Sequence, residues 1–241
     1  MKRIICKNYE EVSLLGAEIL AKQITLNPKM TLGLPTGSTP IGVYKNLAEM
    51  HRKNGLDFSG VKTFNLDEYY PIKKNDSQSY NYFMWENLFS HVNIKPENVH
   101  LPNGECENPE KECADYDEML EKSGGMDVLL LGIGINGHIG CNEPADELEL
   151  ATHLGKLSQS TIEANSRFFK SIEEVPTQVL TMGIGGIMKA KSILLLIMGK
   201  NKAPVVKKLF SGVITTSVPG TILNTHPDIT VLLDEAAASL L

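Results

Sequence analysis

The sequence of 241 residues lacks long apolar runs, a positive charge excess and a dense set of cysteines. No apolar run approaches the roughly 20 residues that a bilayer-spanning helix needs, so we expect no membrane partner. The formal net charge of −6 at pH 7 provides no basic surface, and we expect no nucleic-acid partner. The four cysteines form no CxxC pair, which favours reduced thiols in a cytoplasmic protein. His100, Cys106 and Cys113 lack the close pair of ligands that is typical of zinc sites.

Apolar runs of strand length alternate with helical patterns along the chain. The runs predict buried strands at residues 30–34, 61–66, 126–131, 192–198 and 229–233. Helices are predicted at residues 10–24, 40–54 and 79–92, from Asn108-Pro109 to Gly124-Gly125, and at residues 164–170 after a capping box at Ser160 and Glu163. This alternation predicts an α/β fold in which helices cover both faces of a mostly parallel sheet. With no linker or internal repeat, we expect one domain over residues 1–241.

The segment GIGINGHIGCNEP at residues 132–144 follows the predicted strand at 126–131. In open α/β sheets, ligands bind in the crevice beyond the carboxyl ends of the strands. The imidazole of His138, the carboxylate of Glu143 and the amide of Asn136 would be available there for acid–base chemistry. The segment also matches the GxGxxG pattern of dinucleotide-binding loops. That interpretation is disfavoured, because residues 138–144 resemble a proline-containing loop and residues 151–160 supply neither an apolar strand nor an acidic residue.

Two further strand ends carry candidate functional groups. Residues 34–40 read LPTGSTP, and backbone N–H groups at the following helix start could bind an anion with help from side-chain hydroxyl groups and the helix dipole. The alternative is a well-capped turn without a ligand. Asp67 and Glu68 follow the strand at 61–66, where a carboxylate could act as a general base or only accept local backbone N–H groups. The residues of the candidate anion loop are Thr36, Gly37, Ser38 and Thr39.

Two cations stand in positions from which they could pair with a phosphate. Arg167 lies in a stretch that is otherwise uncharged, and Lys202 follows the predicted strand at 192–198 near a helix start. Arginine binds phosphate through two parallel hydrogen bonds, whereas lysine acts as a point charge. The alternative for either residue is a solvated surface charge.

At these residues the chain resembles the glucosamine-6-phosphate deaminase family. The resemblance covers nearly the whole chain and depends on several blocks in the same order, namely LGLPTGSTP (32–40), FNLDEYY (64–70), SYNYFMWENLF (79–89), LGIGINGHIGCNEP (131–144), ANSRFF (164–169), TMGIGGIMKAKSILLLIMGKNKA (181–203) and HPDITVLLDEAA (226–237). The resemblance implies a three-layer α/β/α, Rossmann-like single domain. It also implies conversion of an amino sugar phosphate, glucosamine 6-phosphate, to fructose 6-phosphate and ammonia, without a metal or an organic cofactor.

The resemblance also implies roles for individual residues. Asp67 would move the proton between C2 and C1 of the open-chain sugar. His138 would open the pyranose ring, with Glu143 orienting it. The phosphate would be bound by the loop at Gly37, Ser38 and Thr39, by Arg167 and by Lys202.

Two positions depart from many members of the family. Asn136 stands where many members have aspartate, so His138 would have one anionic neighbour fewer, and we expect activity to survive. Allosteric members carry basic residues where this chain has His153 and Gly155, so we expect an enzyme without allosteric activation.

Three alternatives stay open at this stage. A galactosamine-6-phosphate isomerase differs by one sugar epimer, a 6-phosphogluconolactonase would hydrolyse a lactone without a C2 base, and a sugar-phosphate-binding regulator would have lost the chemistry. The presence of both Asp67 and His138 disfavours the regulator. The sequence does not report oligomeric state and leaves a homo-oligomer open.

Overall fold

A computed structural model describes residues 1–166, 169 and 171–241, and ten strands lie within them. Their bounds are β1 (Lys2–Cys6), β2 (Thr31–Leu34), β3 (Lys62–Asn65), β4 (Asp67–Tyr70), β5 (Val99–His100), β6 (Val128–Gly132), β7 (His153–Lys156), β8 (Gln178–Thr181), β9 (Ser192–Ile197) and β10 (Ile229–Asp234). Seven strands form a parallel sheet in the order β1-β10-β9-β6-β2-β3-β5. The predicted mostly parallel sheet is therefore confirmed.

Helices cover both faces of this sheet. Those described are α1 (Tyr9–Leu26), α2 (Ile41–Asn54), α3 (Tyr80–Asn87), α4 (Pro109–Lys122), α5 (Gln159–Asn165), α6 (Ile184–Met188) and α7 (Ala203–Leu209). Side chains of β9 alternate between two apolar clusters, because successive residues of a strand point to opposite faces. Leu194 and Leu196 pack with α1, α2 and α3, whereas Leu195 and Ile197 pack with α4, α6 and α7. The three-layer α/β/α architecture is confirmed.

Proline and glycine mark the ends of α2 as the sequence predicted. Pro40 is the N-cap residue, and the helix continues to Asn54. Gly55 follows with a φ of 70°, and its N–H donates to the carbonyl of His51. A left-handed residue after a helix end satisfies the last carbonyl groups, and glycine adopts that conformation without steric cost.

The helix prediction at residues 164–170 was wrong about where the helix starts. Residues 151–160 supply no apolar strand, as predicted, but they contain the partly exposed strand β7, which joins β8 and β4 in a separate antiparallel sheet in the order β4-β8-β7. Helix α5 starts at Gln159, with Ser158 as the N-cap that accepts from the N–H of Thr161. The predicted capping box at Ser160 is therefore wrong, because Ser158 has the extended backbone of a cap, with φ −68° and ψ 154°.

The strand order has a topological switch point between β2 and β6, where the connections that follow the two strands run to opposite sides. The chain leaves β2 toward β3 on one side, and it leaves β6 toward β9 on the other. The loops after β2 and β6 therefore diverge and open a crevice at the carboxyl edge of the sheet, which is where open α/β sheets bind ligands. None of the described helices is long and apolar enough to cross a membrane.

Candidate functional site

A cavity of about 450 Å³ lies at this switch point. Loops that follow β2, β6 and β9 surround it, and the first residue of β4 forms part of its wall. Candidate residues from four separate parts of the sequence line this one space, namely Thr36, Gly37, Ser38, Thr39, Asp67, Asn136, His138 and Lys202. A larger hollow of about 940 Å³, lined by residues such as Pro71 and Glu174, contains none of them.

The loop after β2 is held by two tyrosine side chains. Tyr9 of α1 donates from its hydroxyl to the carbonyl of Ser38 at 3.2 Å and accepts from the N–H of Gly42 at 2.8 Å. The hydroxyl of Tyr44 donates to the carbonyl of Pro35 at 2.5 Å. Gly37 has a φ of 94°, a conformation that a side chain would strain. The loop is therefore shaped in advance at the amino end of α2.

Asp67 stands where the chain passes from the parallel sheet into the antiparallel one. Leu66 makes the link, because its N–H donates to Leu34 and its carbonyl accepts from Met182. Asp67 is only 6% exposed, and this burial raises its pKa to about 6, against the lowering effects of the Cys141 thiol and of His138. A carboxylate with this pKa is ionised at pH 7 yet close enough to titration to accept and return a proton.

His138 and Glu143 lie side by side in the loop after β6. The Nδ1 atom of His138 is 3.5 Å from Oε2 of Glu143, an ion-pair distance without hydrogen-bond geometry. Asn136 donates to the same Oε2 at 2.7 Å, and the Thr161 hydroxyl donates to Oε1 at 2.5 Å. Burial raises the pKa of Glu143, but His138, Thr161 and Asn136 outweigh that effect and bring it to about 2. Glu143 is therefore an anion held behind the imidazole.

Lys202 reaches the cavity from the turn after β9. Its ammonium group donates to the carbonyl of Ile133 at 2.6 Å, and burial lowers its pKa to about 8. A half-buried cation in the wall of a cavity that also contains the loop before α2 is suited to bind an anion. Arg167, the second predicted cation, lies outside the described residues.

The segment from β6 to β7 is a loop rather than the helix of a dinucleotide-binding unit. Residues 133–152 contain turns and one isolated bridge between Ile139 and Asn142. No helix start that could bind a pyrophosphate therefore follows the glycines. The match to the GxGxxG pattern does not indicate a dinucleotide-binding site. Within the described residues, no group of three His, Cys, Asp or Glu side chains could hold a metal ion.

Two features of the site were missed by the sequence-based interpretation. Glu68 does not face the chemistry, because its carboxylate accepts from the N–H groups of Tyr80 and Asn81 at the start of α3, both at 2.8 Å. The thiol of Cys141 lies 3.4 Å from Oδ2 of Asp67. Both relationships join residues that are distant in sequence, and neither carries a local pattern that could have revealed it.

Comparisons with known proteins identify the family. Residues 9–231 match the model of the family described as glucosamine-6-phosphate isomerases/6-phosphogluconolactonase. The glucosamine-6-phosphate deaminases of Thermoanaerobacter pseudethanolicus and Clostridium perfringens are 56% and 52% identical over 241 residues, covering all of this chain and 95% and 100% of theirs. A solved monomeric glucosamine-6-phosphate deaminase is 44% identical, with a TM-score of 0.98 over 100% of both chains. The 6-phosphogluconolactonase of Trypanosoma cruzi is 19% identical with a TM-score of 0.80, covering 100% of this chain and 96% of its own, and shares the fold. The chain belongs to the glucosamine-6-phosphate isomerase/6-phosphogluconolactonase family.

Proposed function

We propose that this protein converts glucosamine 6-phosphate and water to fructose 6-phosphate and ammonia. The observation that carries the proposal is that Asp67, His138, Lys202 and the loop at residues 36–39 open into one cavity. A carboxylate base, an imidazole and an anion-binding loop are thereby placed around a space that fits a small sugar phosphate. The full-length deaminase relatives support the same reaction.

Asp67 is assigned as the base for the isomerisation step. Its carboxylate takes the C2 proton of the open-chain amino sugar and delivers it to C1. Double-bond migration then leaves an imine at C2, which water hydrolyses to a ketone with release of ammonia. The pKa of about 6 suits both halves of this transfer, because the group must accept a proton at neutral pH and then release it.

His138 is assigned to the opening of the pyranose ring. Ring opening needs one group to protonate the ring oxygen and to take up the proton of the C1 hydroxyl, and imidazole can do both. Glu143 sits against Nδ1 of the ring and is 11% exposed, so its charge orients the imidazole with little screening by water. Asn136 and Thr161 hold Glu143 in turn.

The phosphate is assigned to Thr36, Gly37, Ser38 and Thr39 with Lys202. The start of α2 directs the positive end of its dipole at this loop, and Lys202 adds an ammonium charge to the same cavity from the turn after β9. Arg167 keeps the phosphate-binding role that the resemblance implies. The solved relative that is 44% identical to this chain is described as a monomeric deaminase, so we propose that a single chain is the catalytic unit here as well. The free cysteines suit a cytoplasmic enzyme.

Ammonia release from glucosamine 6-phosphate and from galactosamine 6-phosphate, with hydrolysis of 6-phosphogluconolactone measured in parallel, tests the proposal. We expect turnover of the glucosamine compound and its loss in Asp67→Asn. Asp115→Asn, a carboxylate-to-amide change on the exposed face of α4, is the matched control and should keep full activity. Preference for the galactosamine epimer would change the substrate and keep the mechanism. Lactone hydrolysis without ammonia release would overturn the proposal.

A further inference from the structure

The thiol of Cys141 is the described side-chain group that donates to Asp67. Its Sγ atom is 3.4 Å from Oδ2 of the carboxylate, within the range of hydrogen bonds to sulfur. Both residues line the cavity, and both approach it from different elements, Cys141 from the loop after β6 and Asp67 from β4. The contact spans 74 positions of the sequence.

The backbone around Cys141 is fixed to the strand that pairs with Asp67. The N–H of Cys141 donates to Oγ1 of Thr181 at 3.0 Å, and Thr181 is the register partner of Asp67 between β4 and β8. One residue further, the amide of Asn142 donates to the carbonyls of Ile139 and Met182, both at 2.9 Å. Thr181 therefore contacts both residues. Its side chain accepts from the backbone of Cys141, and its backbone pairs with that of Asp67 between β8 and β4. These two contacts fix the distance between the thiol and the carboxylate.

The thiol acts as a donor in this pair. Burial, and then the charge of Asp67, raise the pKa of Cys141 well above its usual range, so its proton stays on sulfur at neutral pH. Because Asp67 is only 6% exposed, few water molecules can replace a lost donor to its carboxylate, and each protein donor counts for more.

We propose that Cys141 is a positioning residue for Asp67, holding Oδ2 through its thiol proton so that Oδ1 is the oxygen that exchanges a proton with the substrate. The catalytic part of this inference rests on the proposed function. The contact between the thiol and the carboxylate is independent of it. Loss of the thiol removes a donor that favours the ionised carboxylate, and the carboxylate also becomes free to rotate. Both effects reduce proton abstraction, most strongly at the acid side of the activity profile.

Other titratable groups surround Asp67 and have to be held constant in a test. They approach from the β6 loop, from its own strand, and from α2, α3 and α4, and they are His138, Glu68, Tyr44, Tyr80 and Tyr116. A substitution at Cys141 leaves all five in place. A change in the titration of Asp67 in such a variant therefore reports the thiol.

The experiment is a carbon-13 NMR titration of the aspartate carboxyl groups, with the Asp67 signal assigned by its loss in Asp67→Asn. We expect the midpoint in Cys141→Ala to lie higher by roughly half a pH unit to one unit, because the ionised carboxylate loses a donor and a thiol is a weak donor. Cys141→Ser retains a donor and should titrate at or below the unmodified chain. Cys106→Ala removes a thiol outside the cavity and should leave the midpoint unchanged.

The acid limb of kcat/KM for ammonia release gives the second measurement. It should move to higher pH in Cys141→Ala with KM little changed, and Cys141→Ser should restore it. Should circular dichroism show that Cys141→Ala does not fold, Cys141→Val fills more of the space without a donor and replaces it. Equal Asp67 midpoints in the donor-free variant and the unmodified chain would overturn the inference. An unmodified chain that releases no ammonia would overturn the proposed function alone, because the titration still decides the role of the thiol.

Discussion

Gly134 lies against the flat face of the His138 imidazole. A Cβ atom at position 134 would be 2.4 Å from Cε1 and from Nδ1 of the ring, closer than any real contact of that kind. The N–H of Gly134 also donates to the carbonyl of His138 at 2.9 Å. The second glycine of the GxGxxG pattern is therefore required to admit an imidazole, and no dinucleotide is needed to explain it.

Gly134→Ala should displace the imidazole from its place beside Glu143. A methyl group at this position forces the ring or the backbone to move. If His138 has the proposed role, a displacement of about 1 Å can lower turnover about 100-fold. Steady-state kinetics on glucosamine 6-phosphate measure the loss. Gly155→Ala, in β7 and outside the lining of the cavity, is the matched control, since a Cβ atom there has no neighbour closer than 3.5 Å. Equal turnover in both variants would remove the steric explanation for Gly134.

Asp67→Asn should stabilise the protein above pH 6 while it abolishes turnover. The pKa of Asp67 is raised from 3.8 to about 6, so the folded state binds more protons than the unfolded state between these values. The contribution of this group to stability therefore falls as pH rises from about 4 to 6. The gain of the variant in unfolding free energy should grow over the same window by about 2–3 kcal/mol. Urea unfolding at pH 4 and pH 8 measures it, with Asp115→Asn as control, and a gain independent of pH would contradict the assigned pKa.

Glu143→Gln should have the opposite dependence on pH. The pKa of Glu143 is lowered from 4.5 to about 2, so its stabilisation is complete above about pH 4.5 and is lost as the pH falls to about 2. The variant should be about 2–3 kcal/mol less stable than the unmodified chain at pH 7, and the two should converge at low pH. Acid unfolding followed by fluorescence of Trp85 provides the comparison. Glu118→Gln, on an exposed face of α4, should show no such convergence.

Lys202 should make substrate binding weaken in alkaline solution. Its pKa is lowered to about 8, so the free enzyme loses the ammonium charge as pH rises through that value. KM should rise above pH 8 with a smaller change in kcat, because the phosphate is bound alike in the ground and transition states. Lys202→Met should have a high KM without this dependence, and Lys202→Arg should remove the alkaline rise, since arginine stays protonated. An alkaline rise that persists in Lys202→Met would assign it to another group.

The sequence pattern predicted the structure correctly wherever the residues of one helix, strand or loop were sufficient to determine it. The five buried runs became β2, β3, β6, β9 and β10, because parallel strands are buried on both faces and are continuously apolar. The limits of α2 followed from Pro40 and Gly55, whose backbone preferences act within one turn. The loop after β2 and the pair of His138 and Glu143 were likewise visible, since each lies within one short segment.

Strands and helix ends that depend on contacts with distant parts of the chain could not be predicted from the sequence pattern. Strand β7 includes a glycine and a lysine and is only partly buried, so its pairing with β8 in the small antiparallel sheet, rather than propensity, determines it. Ser158 and Ser160 are chemically equal candidates for the cap of α5, and the path of the chain out of β7 selects Ser158.

The sequence by itself determined the layered α/β plan, the positions of the five strands at the centre of the parallel sheet and the candidates for the reactive side chains, because apolar periodicity and loop chemistry are local properties. Only the tertiary structure decided which of two adjacent carboxylates meets the cavity. Glu68 is turned to the start of α3 and Asp67 to Cys141 and the cavity. Neighbouring residues of a strand point in opposite directions, and what each one meets depends on the strands and helices that the rest of the chain places around it.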